Sequence, residues 1–241
     1  MATTALTWHA TAPRGLRRLT ALAGPSGVVL GRQHSGALAP VRLFRPEPTR
    51  VGVVGGSWLT ALIVFRCLGV GARVEITTAM PSRWADVGQL AGAPERVAVG
   101  VSEIGRSLNG EVLSGSMLPV LRLNDVGLGG STDAVPLGPW ETLLTAVGTL
   151  TPTTAGVLTE SNVVILQRLS RDEAEVCAAT LHLAPEVETK LSQLHDDMLV
   201  VVVSGVPQFL WFATTPIEEQ LLGQPRRGDR APMGAPPPPA R

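Results

Sequence analysis

The feature that most constrains this chain is the stretch TRVGVVGG (Thr49–Gly56), which runs directly into SWLTALIVFRCLGVGA (Ser57–Ala72). A Val/Gly run without charge after Arg50 reads as a strand buried on both faces. The apolar stretch behind it reads as a helix, with Ser57 in the N-cap role and glycines at its far end. A strand that ends in two glycines and turns at once into a helix gathers free backbone N–H groups at one point. Such a point can hold an anion, phosphate above all. Gly55, Gly56 and Ser57 are therefore the first candidate site residues.

The same alternation continues on both sides. SGVVLG (Ser26–Gly31) and APVRLFR (Ala39–Arg45) read as a hairpin around a QHSG turn. RVEITT (Arg73–Thr78) and RVAVG (Arg96–Gly100) read as strands with a helix, PSRWADVGQLA (Pro81–Ala91), between them. LPVLRLND (Leu118–Asp125) is a strand closing on a carboxylate, with a Gly-rich loop after it. WETLLTAV (Trp140–Val147) reads as a strand, Thr151–Ser161 as a short helix and NVVILQRL (Asn162–Leu169) as a buried strand. Ser170 with Glu173 three residues on forms a capping box that opens a helix to Leu181. A further short helix spans Ala184–His195, and DMLVVVVSG with VPQFLWFA (Asp197–Ala213) makes a terminal hairpin. Apolar strands separated by helices, joined by right-handed crossovers, predict a three-layer α/β/α sandwich. Its sheet is mostly parallel, Rossmann-like or P-loop-like, with antiparallel hairpins at the edges.

The expected domain spans 27–222. Before it lies a basic segment, 1–26, part of a stretch in which Arg14, Arg17, Arg18, Arg32, Arg42 and Arg45 all precede the first acid, Glu47. After it, 223–241 is a Pro/Gly-rich tail with nothing to bury, expected to be disordered or extended. Its Arg227–Gly228–Asp229 triplet is read as chance. Acidic and basic residues balance at 20 each, so no global field argues for nucleic acid. The apolar run Trp58–Val70 is too short for a bilayer and carries Arg66, so it reads as a core helix and any membrane contact goes through a partner. Cys67 and Cys177 sit in apolar helical contexts and read as buried thiols in a reducing, cytoplasmic setting.

The glycine turn lacks the chemistry that usually accompanies it. A dinucleotide site needs GxGxxG and an acid closing the next strand; here Ser57 and Thr60 stand at the glycine positions and Thr78 closes the strand. A P-loop needs GxxxxGK[ST]; here the lysine position holds Trp58, and the only lysine, Lys190, lies in a late helix. Without that cation, triphosphate cleavage loses a main source of charge stabilisation. A methyltransferase turn also expects an acid where Thr78 stands. Asp125 is placed as a magnesium-binding acid would be, or as a strand-end cap. His9, His34, His182 and His195 show no metal spacing, so no metal is expected. A ligand mouth, if kept, would lie near Gly55, Thr78, Asp125 and Gln167, and Trp58 or Trp84 filling it would count against a ligand. Trp58, Trp84, Trp140 and Trp211 read mainly as packing residues.

The order of these pieces resembles the RecA-like core of the FtsK/HerA family of DNA pumps and secretion motors. VVLGRQHSGALAPVRLFR is similar to the family's leading hairpin, and TRVGVVGGSWLTALIVFRCL stands where its phosphate-loop strand and helix stand. VLRLND resembles its magnesium-binding strand, which puts Asp125 at that strand's acid. NVVILQRLSRDEA and DDMLVVVVSGVPQFL are similar to its late strand and closing hairpin. The departures are the missing lysine and its hydroxyl partner. The resemblance therefore implies the fold and a workplace in secretion or translocation, not the activity. Arginine in place of lysine throughout reads as a GC-rich coding sequence, which suggests an actinobacterial source and type VII secretion.

The leading reading is a non-catalytic scaffold or interaction protein with protein partners, in the cytoplasm and peripheral to a membrane complex through those partners. No cofactor is expected beyond a weakly held nucleotide at Gly55, Gly56, Ser57, Thr78 and Asp125. The alternatives are a nucleotide- or dinucleotide-binding module and a Rossmann-type enzyme.

Overall fold

The computed structural model describes residues 27–101, 118–125 and 136–227, which together form one ten-stranded sheet with helices on both faces. The basic segment 1–26, most of the Gly-rich loop after Asp125 and the chain past Arg227 lie outside the described residues. The strands are β1 Val28–Arg32, β2 Leu38–Val41, β3 Thr49–Val54, β4 Arg73–Thr78, β5 Val97–Val101, β6 Val120–Asp125, β7 Glu141–Val147, β8 Val163–Leu166, β9 Met198–Val203 and β10 Val206–Phe212. The helices are α1 Ser57–Gly69, α2 Val87–Leu90, α3 Gly156–Thr159, α4 Arg171–Leu181, α5 Pro185–Ser192 and α6 Pro216–Leu222.

The spatial order is β2-β1-β10-β9-β8-β3-β7-β6-β4-β5. The run from β8 to β5 is parallel throughout, and β9, β10, β1 and β2 add to it antiparallel. The expected α/β architecture, mostly parallel with antiparallel edge hairpins, is the one observed. Successive side chains of a strand face opposite ways, and the burial follows that rule. Val163 and Ile165 of β8 join one core with α1, while Val164 and Leu166 join a second core with α4 and α5. In β9, Leu199 and Val201 join the first core, and Val200 and Val202 the second.

β4 and β6 are less apolar than an all-buried parallel strand. On one face their Val74, Ile76, Leu121 and Leu123 join the core; on the other, Glu75 meets Arg73 at 3.6 Å and Arg122 at 3.7 Å, and Arg122 meets Glu141 at 3.5 Å. The β9–β10 turn places Ser204 (φ 51°) and Gly205 (φ 77°) in the left-handed region, the requirement of a tight two-residue hairpin.

Several local expectations change. Gly56, not Ser57, is the N-cap of α1, and Ser57 is its first residue. The helix expected over Pro81–Ala91 breaks into a single 3-10 turn, Pro81–Arg83, and the one-turn α2. Its one glycine, Gly88, weakens it and has no room for a side chain, a Cβ there lying 3.0 Å from Pro94 Cα. The helix expected from Thr151 shortens to α3, because Thr151 and Thr154 satisfy each other's backbone N–H groups in a turn before it. An additional helix, α6, follows the terminal hairpin, opened by a capping box of Thr215 and Glu218.

Candidate functional site

In an open parallel sheet, ligands enter where neighbouring strands send their connections opposite ways, at the strands' C-terminal ends. Here β3 leads through α1 toward β4, and β8 leads through α4 and α5 toward β9, on the other side. The crevice therefore opens at Gly55, Gly56 and Gln167, at the ends of β3 and β8. Glycine is needed at 55: a Cβ there would lie 2.7 Å from Gln167 Oε1 and 3.1 Å from Leu59 Cδ2.

Two donors of the turn are engaged by the protein itself. Gly55 N–H donates to the Val147 carbonyl at 3.1 Å, continuing the β3–β7 ladder. Gly56 N–H donates to Gln167 Oε1 at 2.8 Å. A side-chain amide oxygen thus stands where an anion's oxygen would be received. Trp58, at the lysine position of a P-loop, is turned into the core. It is 6% exposed, meets Phe212 edge-on at 4.9 Å and donates from Nε1 to the Gly223 carbonyl at 2.9 Å.

The segment from Gly223, expected to have nothing to bury, crosses this mouth. Its Gly223 carbonyl receives Trp58, and its Arg226 carbonyl receives Gln167 Nε2 at 3.3 Å. Arg227 then donates to the Arg168 carbonyl, to the Gly148 carbonyl at 3.5 Å and to the Glu173 carboxylate. Glu173 is 6% exposed and accepts the N–H of Ser170 (2.8 Å) and of Leu150 (3.0 Å). Burial pushes its carboxyl up, but the Ser170 and Leu150 N–H groups and the Arg227 charge outweigh that and hold it below the usual carboxylate range. An arginine therefore does reach the edge of the turn, but its charge is matched by Glu173. Arg83 and Arg168 sit against Asp125 (3.5 Å) and Asp196 (3.1 Å). Beside Arg227 an open hollow of about 790 Å³ is lined by Gly148, Thr149, Arg168, Ser170 and Arg171.

Thr78 and Asp125 come together as register partners on β4 and β6, in a second cluster. With β7 between, Asp125 is two strand spacings from β3, about 10 Å. Asp125 Oδ2 accepts Trp84 Nε1 at 2.8 Å and Thr78 Oγ1 at 3.2 Å, with Arg83 Nη1 at 3.5 Å. Thr78 Oγ1 in turn accepts Met80 N–H at 3.0 Å. Trp84 is 1% exposed, so the acid's partners hold the loop after β4 onto the end of the sheet. Among the described residues no group of three or more His, Cys, Asp or Glu could hold a metal ion, and no helix is long and apolar enough to cross a membrane.

Three of these elements carried signals in the sequence. Glu173 reads as a capping residue only, because nothing local marks it as Arg227's partner. Trp84 reads as packing, although a buried indole N–H needs an acceptor. α6 is announced by Thr215-x-x-Glu218, the same box as Ser170-x-x-Glu173.

No protein-family model and no curated protein matches the chain. Among solved structures it is similar to VirB4 of Thermoanaerobacter pseudethanolicus, with TM-score 0.55 and 10% identity over 83% of this chain and 100% of that one. It is also similar to B204, the DNA-packaging ATPase of Sulfolobus turreted icosahedral virus, with TM-score 0.49 and 10% identity over 69% of this chain and 98% of that one. A third similar structure is the cytoplasmic domain of the type VII secretion ATPase EccC of Thermomonospora curvata, with TM-score 0.49 and 11% identity over 90% of this chain but 34% of that one. The likeness to VirB4 shows the fold alone: this chain shares the α/β core of that structure.

Proposed function

We propose that this chain is a non-catalytic interaction or scaffold protein on a degenerate nucleotide-binding fold, working with protein partners of a secretion or translocation machine. The observation that carries this reading is the glycine turn: its Gly56 N–H is held by Gln167 Oε1, and Trp58 replaces the cation that a triphosphate requires. Asp125 supports it, since Oδ2 is shared among Trp84, Thr78 and Arg83. The setting rests on the fold shared with VirB4 and on the resemblance of the element order to the FtsK/HerA core. The cytoplasmic side of a membrane complex, reached through partners, fits that setting.

The test is ATP turnover by the purified chain with magnesium. The expected rate equals that of the protein-free blank and is the same in Asp125→Asn. Turnover above the blank that Asp125→Asn removes overturns the reading. A second reading, a nucleotide-binding module without turnover, is favoured by the hollow of about 790 Å³ beside Arg227. Thermal melting with ATP, ADP, GTP and NAD separates the two, because a ligand that binds only the folded state raises the melting point. No shift at millimolar concentration removes the second reading.

A further inference from the structure

The carbonyl oxygens that receive Arg227 belong to Gly148, directly after β7, and Arg168, two residues after β8. β7 and β8 are the two neighbours of β3. One guanidinium therefore bridges the strand ends on either side of the glycine turn. The third acceptor, Glu173, is fixed before the arginine arrives: Ser170 and Leu150 N–H groups each hold one of its oxygens. Two carbonyls and one oriented, buried carboxylate are the acceptor set that a planar fork of five N–H donors satisfies and a lysine does not. The pair is largely withdrawn from water, with side chains 14% and 8% exposed.

From these contacts we infer that Glu173 and the carbonyls of Gly148 and Arg168 form a guanidinium-binding site. Arg227 occupies it in cis and latches Gly223–Arg227 across the mouth of the sheet. The other end of the latch is the Trp58 indole on the Gly223 carbonyl, and Gln167 holds the middle through the Arg226 carbonyl. The ligand class is an arginine side chain carried on a peptide segment. The site follows from the strand ends and holds whether or not the chain turns over nucleotide.

Hydrogen exchange of the full chain, read by mass spectrometry over Gly223–Arg227, tests it. Arg227→Ala and Glu173→Gln should each speed exchange of the Gly223 amide, which donates to the Glu219 carbonyl at 2.9 Å, by about tenfold or more, the loss expected for a charge-assisted hydrogen bond. Arg227→Lys should behave like Arg227→Ala, because it keeps the charge and loses the fork. Glu173→Gln keeps the capping box, in which glutamine also serves, so α4 amides should stay protected and report that the fold is intact. If α4 loosens in that variant, Arg227→Ala and Arg227→Lys decide alone. Exchange in the segment that is unchanged by Arg227→Ala, or restored by Arg227→Lys, overturns the inference. None of these readouts involves nucleotide, so their failure leaves the proposed function standing, and the reverse holds.

Discussion

The N–H of Gly56 and Oε1 of Gln167 lie 2.8 Å apart, a hydrogen bond that ties the start of α1 to the residue after β8 across 111 positions. The same oxygen would be 2.7 Å from a Cβ at Gly55. One side-chain amide thus both occupies the anion-receiving donor and fixes glycine as the residue beside it. Gln167 is 1% exposed, so water does not compete for the contact.

This pair gives a coupled prediction. Gln167→Ala leaves the part-buried Gly56 N–H without its partner and should cost about 1–3 kcal/mol. Gly55→Ala forces the amide aside and should cost about 1–3 kcal/mol by overpacking. With the amide gone, the added methyl meets less resistance, so the double variant should be less destabilised than the sum, by about 0.5–3 kcal/mol. Urea unfolding of the four proteins measures this, and strict additivity would show that the two sites are independent.

Asp125 separates a structural acid from a cation-binding one. Asp125→Ala strands the buried Trp84 N–H and should destabilise by about 1–3 kcal/mol. Asp125→Asn retains an oxygen acceptor and should cost less. Millimolar magnesium should leave the melting point of the unaltered chain unchanged. A magnesium-dependent rise that Asp125→Asn abolishes would put a cation at this acid instead.

Much of the sheet was legible because its strands carry their environment in their pattern. The charge-free run of β3 and the apolar β8 and β9 could only be buried on both faces, and Ser170 with Glu173 marked the start of α4 as observed. What escaped is non-local. Nothing in PSRWADVGQLA states that Trp84 is pinned by Asp125, 41 positions away, or that Gly88 must lie against Pro94. Nothing in a Pro/Gly-rich tail states that Arg227 finds Glu173 after 54 positions. The Thr215–Glu218 box was there to be read; a seven-residue helix after a terminal hairpin offers too few periodic positions to draw attention to it.

The cysteines should be chemically silent in the folded chain. Cys67 and Cys177 are both 0% exposed, and burial pushes both thiols up, Cys177 to about 12. At pH 8 the nucleophilic thiolate is scarce at each. Iodoacetamide should label neither within minutes under native conditions and both in guanidinium chloride. Rapid native labelling of Cys177 would mean that α4 opens locally from the sheet.

Arg66 and Glu218 form the ion pair whose loss should be felt most. Arg66 Nε and Nη2 donate to the two oxygens of Glu218 at 2.7 and 2.8 Å, joining α1 to α6, and Arg66 also donates to the Val29 and Ala213 carbonyls. Burial pushes the Glu218 carboxyl up, but the Arg66 hydrogen bonds and the Thr215 N–H outweigh it and leave it below the usual carboxylate range. Glu173 is shifted the same way. A carboxylate with a lowered folded pKa stabilises above its unfolded value, near 4.5, and that stability fades as pH falls through the folded value. The urea midpoint of the unaltered chain should therefore be level from pH 7 to 5 and fall below about pH 4.5. Arg66→Ala leaves the acid buried without its cation and should cost about 3–5 kcal/mol at pH 7. It should also shrink Glu218's contribution, since the Arg66 hydrogen bonds and charge that hold the carboxyl ionised are gone. The variant should lose less between pH 5 and 3 than the unaltered chain, narrowing the gap between them in acid. A constant gap across that range would show that Glu218 is not held ionised by Arg66.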